Sequence, residues 1–189
     1  MIINISGSNG NKTCESYSIE KNLWTKMPIL NDDRIGPSVM VLNKIELLCF
    51  FGKRFDMQTK KWEFLESFER TNLMNRTSFW TKFYMKSKEY NLLLKRSFSG
   101  IIACPNERLF IVGGQCFEDG RIQPTSNIIE IDINIFSFMR SNLNMPKATA
   151  FVDSNFYFHN ANAIQFDNSG SILFYSLIFN EMWNLENYD

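Results

Sequence analysis

A chain of 189 residues that is 44% hydrophobic and 15% aromatic fits one ordinary domain, and burial does not limit it. Its 20 basic and 20 acidic residues cancel, so no overall field draws it to nucleic acid or to an anionic membrane. The apolar runs fall far short of the ~18 residues that a membrane helix requires, and the start MIINISGSNG has neither the basic nor the apolar part of a secretory signal. The expectation is no membrane and a reducing, cytoplasmic location.

In chain order, IINISG (2–7) is a short apolar strand closed by Gly7. YSIEKNLWTKMP, from Tyr17, then sets an aromatic residue, six intervening residues and Trp24 in a row. Such spacing predicts a hairpin: the first aromatic ends one strand, the polar middle turns, and the second aromatic opens the next. Both rings then share a face. PSVMVL turns through Asn43 and Lys44 into IELLCFFG, which Gly52 closes. FDMQTKKWEFLE repeats the aromatic hairpin with Phe55 and Trp62, and KFYMKSKEYNLLLKR does so with Phe83 and Tyr90, or forms a short helix instead.

GIIAC turns through Pro105 and Asn106 into LFIVGG, closed by Gly113 and Gly114. IDINIFSFMRSN gives the hairpin again from Ile131 to Phe138, ATAFV turns through Asp153 to Asn155 into FYFHN, and YSLIFNEMWNLE, from Tyr175 to Trp183, is one residue out. The nearly unbroken apolar runs suit strands buried on both faces. The order is therefore strand, turn, strand ending in Gly, then the aromatic hairpin.

This arrangement resembles the kelch repeat, whose four-stranded sheets are the blades of a β-propeller. Gly113 and Gly114 match that family's glycine doublet; Gly52 and Gly7 keep one glycine each, and Asn160 stands where the doublet is replaced. Arg34 matches the arginine that often precedes the next strand, and Lys147 takes its place later on. The resemblance implies an all-β fold of about five degenerate blades, approximately 1–35, 36–66, 67–98, 99–147 and 148–189, incomplete or irregular. Read this way, the first blade lacks a strand, and another chain or further sequence completes the ring. Trp24 and Trp62 are expected to be buried between neighbouring blades.

The resemblance also implies function: a non-catalytic protein–protein interaction module, serving as a scaffold or assembly subunit of cytoskeletal or adaptor type. A substrate receptor of a ubiquitin ligase ranks behind these, because no ligase-adaptor domain accompanies the repeats. The partner is expected to be protein, with its identity and the binding residues unassigned.

Chemistry has few residues to draw on. GGQCFEDGRIQP fits neither a P-loop nor a dinucleotide motif, so its glycines read as strand-end geometry. His159 is the one histidine; inside an aromatic run it reads as a core or strand-end residue rather than the base of a Ser-His-Asp or Cys-His arrangement. One histidine cannot supply the two-histidine copper site of galactose oxidase, which uses a propeller of this type. Asp32 with Asp33, and Glu118 with Asp119, read as solvated loop acids. Cys14, Cys49, Cys104 and Cys116 lack metal-site spacing and read as buried free thiols. No catalytic, cofactor-binding or metal-binding residue is expected, and no cofactor.

The alternative reading uses local charge. From Gly52 to Arg96 the chain carries 11 basic and 5 acidic residues: Lys53, Arg54, Lys60, Lys61, Arg70, Arg76, Lys82, Lys86, Lys88, Lys95 and Arg96 lie among Trp62, Phe79, Trp80, Phe83 and Tyr84. Such interleaving can bind single-stranded nucleic acid or an acidic tail. From Gln115 to Asp189 the balance reverses, with 3 basic and 9 acidic residues.

Overall fold

A computed structural model describes residues 1–5, 11–75, 78–84, 95–104, 108–118, 120–132, 134, 137–149, 162–165, 172–176 and 181–185. Its regular structure is all β, with no helix among the described residues and therefore none long and apolar enough to cross a membrane. One sheet curls as a half-barrel does. The chain divides into two compact units, the first comprising Met1–Met85 with Lys95–Ser97 and the second Lys86–Leu94 with Phe98–Asp189.

The first unit opens with β1 (Ile2–Ile5), β2 (Cys14–Ser18) and β3 (Leu23–Met27), an antiparallel three-stranded sheet in that order. Next come β4 (Ser38–Leu42), β5 (Glu46–Phe50), β6 (Lys53–Asp56), β7 (Lys61–Phe64), β8 (Ser67–Asn72) and β9 (Thr81–Tyr84). The β4–β5 turn is closed by the Ile45 N–H on the Leu42 carbonyl at 3.1 Å. Asn43 (φ 50°) and Lys44 (φ 61°) are both left-handed, which suits the twist of a tight hairpin. The sheet order is β4-β5-β8-β9, while β6 and β7 pair as a separate two-stranded ribbon. A short strand, β10 (Arg96–Ser97), ends the unit.

The second unit contains β11 (Gly100–Cys104), β12 (Arg108–Val112), β13 (Gln115–Glu118), the long β14 (Arg121–Asp132) and β15 (Ser137–Thr149). Strand β14 pairs with β13 at Arg121–Pro124 and with β12 at Ile128–Asp132, and β15 also pairs with it. A three-stranded sheet follows, β16 (Asn162–Gln165), β17 (Ile172–Ser176) and β18 (Glu181–Leu185).

The apolar runs form the core as their composition dictates. Leu47, Leu48, Cys49 and Phe50 on β5, and Leu109, Phe110, Ile111 and Val112 on β12, are all buried, because both strands lie inside their sheets. Phe68 stacks against Phe50 and Phe83, with ring centroids 5.2 and 5.0 Å away. Cys14, Cys49 and Cys116 are buried free thiols, and burial pushes the Cys49 thiol up to about 12.

The aromatic hairpins form where expected. Tyr17 lies directly opposite Trp24, Phe55 opposite Trp62, and Ile131 opposite Phe138. In the last hairpin Trp183 faces Phe174 rather than Tyr175, which accounts for its one-residue offset. The pairing of Phe83 with Tyr90, the hairpin from ATAFV to FYFHN, Asn160 and His159 lie outside the described residues.

Two expectations need correction. Trp24 and Trp62 are not core residues: they are 52% and 46% exposed. Each ring packs on its own cross-strand partner, with centroids 5.1 Å (Tyr17) and 5.3 Å (Phe55) away. The second concerns strand order. At β14–β15 the aromatic hairpin supplies strands of the sheet itself, as the repeat predicts, but β6–β7 forms a separate two-stranded ribbon, and β8 and β9 take those places beside β5.

Candidate functional site

What positions the β6–β7 ribbon is a kink at the end of a core strand. Strand β5 leaves its sheet through Phe51 (φ 55°) and Gly52 (φ 95°), and β12 leaves through Gly113 (φ 61°) and Gly114 (φ 90°). The Phe51 N–H donates to the Ser67 carbonyl at 3.1 Å, and the Gly113 N–H to the Asn127 carbonyl at 3.3 Å. Two residues earlier on the facing strand, the Leu65 N–H donates to the Gly52 carbonyl (2.9 Å) and the Thr125 N–H to the Gly114 carbonyl (3.0 Å). A Cβ on Gly52 would lie 3.1 Å from the Ile35 carbonyl oxygen, at a φ that only glycine adopts easily. The glycines therefore bend strands, and the Gly113 N–H is committed to backbone rather than offered to a phosphate.

The two kinks belong to a longer repeat than the aromatic pairs mark. Residues 34–56 and 96–118 align without a gap, starting from Arg34 and Arg96 and passing through the glycines to Asp56 and Glu118. Strand register agrees: Ser38 faces Phe50 as Gly100 faces Val112, and Glu46 faces Asn72 as Arg108 faces Asp132. Even an ion pair recurs, with its charges exchanged. Arg70 sits 3.6 Å from Glu46, and at the matching positions Arg108 sits 3.1 Å from Glu130. The signal available in the sequence was the recurrence of arginine four residues before each outer strand. Both arginines are fully buried.

Arg34 holds the first kink. Its Nη1 donates to the carbonyls of Phe51 (2.6 Å) and Ser67 (3.0 Å), Nη2 to Ser67 Oγ (2.9 Å) and Glu69 Oε1 (3.0 Å), and Nε to Glu69 Oε1 (3.1 Å). All five guanidinium N–H groups thus have partners. Glu69, also fully buried, accepts from the Asn31 backbone (2.6 Å) and side chain (2.8 Å) and from the Asp32 backbone (3.2 Å).

Asp32 is not the solvated loop acid expected of it. It accepts from Ser67 Oγ at 3.2 Å and pairs with Lys82 at 2.5 Å, Arg34 at 3.6 Å and Arg54 at 3.7 Å. Burial works against its carboxylate, but Lys82 and Arg34, helped by Ser67, outweigh it and hold the pKa below the ordinary value. Asp33 is exposed. The arrangement is a saturated structural cluster; every strong donor in it already has an acceptor.

The exposed chemistry lies on the hairpins. On β6–β7, Phe55 (43% exposed), Trp62, Lys60 and Lys61 face solvent, and Lys53 sits over the Trp62 ring at 5.0 Å. Several other basic residues of the 52–96 segment are occupied by acids: Arg54 by Glu63 (2.7 Å), Arg70 by Glu46, Lys82 by Asp32 and Lys95 by Glu66. Arg96 is buried, as is Trp80, while Phe79 and Tyr84 are exposed; Arg76, Lys86 and Lys88 lie outside the described residues. Among the described residues no three His, Cys, Asp or Glu side chains group as metal ligands would. No family model matches the chain, and no curated protein matches it.

Proposed function

We propose that this chain is a non-catalytic protein–protein interaction module, a scaffold or assembly subunit working in the cytoplasm. In this reading it is built as an irregular propeller of degenerate kelch-type blades. The observation that carries the functional reading is the exposed rings of two aromatic hairpins, Trp24 opposite Tyr17 and Trp62 with Phe55. Solvent-facing Trp on a rigid hairpin is an unfavourable surface that a partner's contact relieves, and Trp is a frequent anchor of protein interfaces. A repeated blade is supported by the two kinks, the recurring buried arginine and the cross-strand aromatic register.

Binding of nucleic acid or an acidic tail through the 52–96 segment is the second reading, favoured by Lys53 over Trp62 and by exposed Lys60 and Lys61. The internal ion pairs weaken it, because a lysine or arginine already neutralised by a neighbour gains little from a phosphate. The test is native capture of the tagged full chain followed by mass spectrometry, with absorbance read for nucleic acid. A stoichiometric protein complex supports the module. Recovery of the chain with nucleic acid alone overturns it in favour of the second reading.

A further inference from the structure

The two units divide the charge of a neutral chain. Residues of the first unit include 14 basic and 9 acidic side chains, those of the second 6 basic and 11 acidic, so they carry opposite net charges of five. The difference reaches the two hairpins that follow the kinks, which are equivalent positions of the repeat. In the first unit, β6–β7 presents Lys60, Lys61 and the exposed pair Phe55 and Trp62. In the second, Phe117 replaces Phe55 opposite Ile122, and Phe117 (46% exposed) stands beside exposed Glu118. Asp119 follows in sequence, and Arg121, the one basic residue of the 115–124 segment, lies opposite Glu118 in the strand register. Glu118 Oε2 accepts from Gln123 Nε2 at 3.0 Å, which fixes the carboxylate on the strand surface.

We infer that a second copy of this chain is a partner of the module: the β6–β7 hairpin of one copy docks on the β13–β14 hairpin of the next. Lys60 and Lys61 then meet Glu118, and Trp62 with Phe55 covers Phe117. A basic tip does not pair with itself, so each contact joins unlike hairpins, once head to tail or twice in a two-fold dimer. Rim charges set its rate of formation and salt dependence, and the aromatic rings set its lifetime. This inference deepens the scaffold reading by naming one partner, and it rests on that reading for the role of the exposed hairpins.

Sedimentation velocity of the full chain tests it, at about 0.05 M and about 0.5 M salt, where screening lengths differ several-fold. The expected result is concentration-dependent association that weakens at high salt. Reversing the charge with K60E/K61E weakens it about tenfold or more, and adding E118K to that chain restores it. A monomer at every concentration and salt overturns the inference, as does association that ignores salt or the charge reversal. The wild-type salt series stands on its own should a variant fold poorly. A monomer that still forms a stoichiometric complex with a different protein sinks this inference and leaves the module reading intact. Self-association in a chain that captures no other protein supports the inference and narrows the module reading to contacts between copies.

Discussion

At the first kink the left-handed position is held by Phe51, fully buried at φ 55°; at the second it is held by Gly113 at φ 61°. A non-glycine residue there costs roughly 1–2 kcal/mol that glycine does not. The first kink offsets this with ring burial and with Arg34, whose guanidinium caps the Phe51 carbonyl. The facing strands differ in step: Glu69, which partners Arg34, is matched by Ile129, and both are buried. The same bend is therefore built twice: around Phe51 with Arg34 paired to Glu69, and around Gly113 with buried Arg96 and Ile129 at the matching positions. The comparison shows how a repeat loses its sequence signature while keeping its geometry.

The largest effect should come from breaking the ion pair on one side only. Arg34→Met or Glu69→Ile alone leaves an uncompensated buried charge, and each should cost about 3–5 kcal/mol in urea unfolding. The double variant, which removes both buried charges together, should be more stable than either single. Simple additivity would break the pairing of Arg34 with Glu69.

Next in size is the shared need for glycine. Gly52→Ala and Gly114→Ala place a side chain at φ 95° and 90°, and each should destabilise by roughly 1–3 kcal/mol. Tolerance at one site alone would show that the two bends are not equivalent.

A smaller effect, confined to the first unit, is expected on acidification. Because the folded-state pKa of Asp32 is lowered, its contribution is full above the ordinary value of 3.8 and is lost as pH falls through the folded value. The stability gap between the wild type and Asp32→Asn should therefore shrink below pH 3.8. Thermal melts giving a constant gap would contradict the Lys82–Asp32–Arg34 arrangement.

The smallest effects belong to the exposed rings. Trp24→Ala and Trp62→Ala should cost about 0.5–1.5 kcal/mol, the worth of a cross-strand aromatic pair. A loss of 3–5 kcal/mol in unfolding experiments, the range for a packed core, would restore the buried placement first expected of them.

Much of the local structure was legible. The turn at Asn43 and Lys44, the apolar runs of β5 and β12 and the hairpin register from Tyr17 to Trp24 follow from turn chemistry and the two-residue period of a strand. Burial of the tryptophans was not legible, because spacing tells which residues face each other and says nothing of what covers them. The place of β8 and β9 was hidden for a related reason. A separate ribbon and a sheet hairpin share one pattern, and only long-range pairing separates them. The Arg34 cluster was concealed by its composition: Asp32, Ser67, Glu69 and Lys82 read as surface residues until the fold brings them to one buried guanidinium.

The most direct test of the claim that Arg34 supports only its own kink is native-state hydrogen exchange, amide by amide, in wild type and Arg34→Met. The Phe51 and Leu65 amides bond across the first kink, the Gly113 and Thr125 amides across the second. The prediction is that exchange at Phe51 and Leu65 accelerates by about a hundredfold or more, while Gly113 and Thr125 stay within about threefold of wild type. Unchanged protection at Phe51, or an equal loss at all four amides, would contradict it.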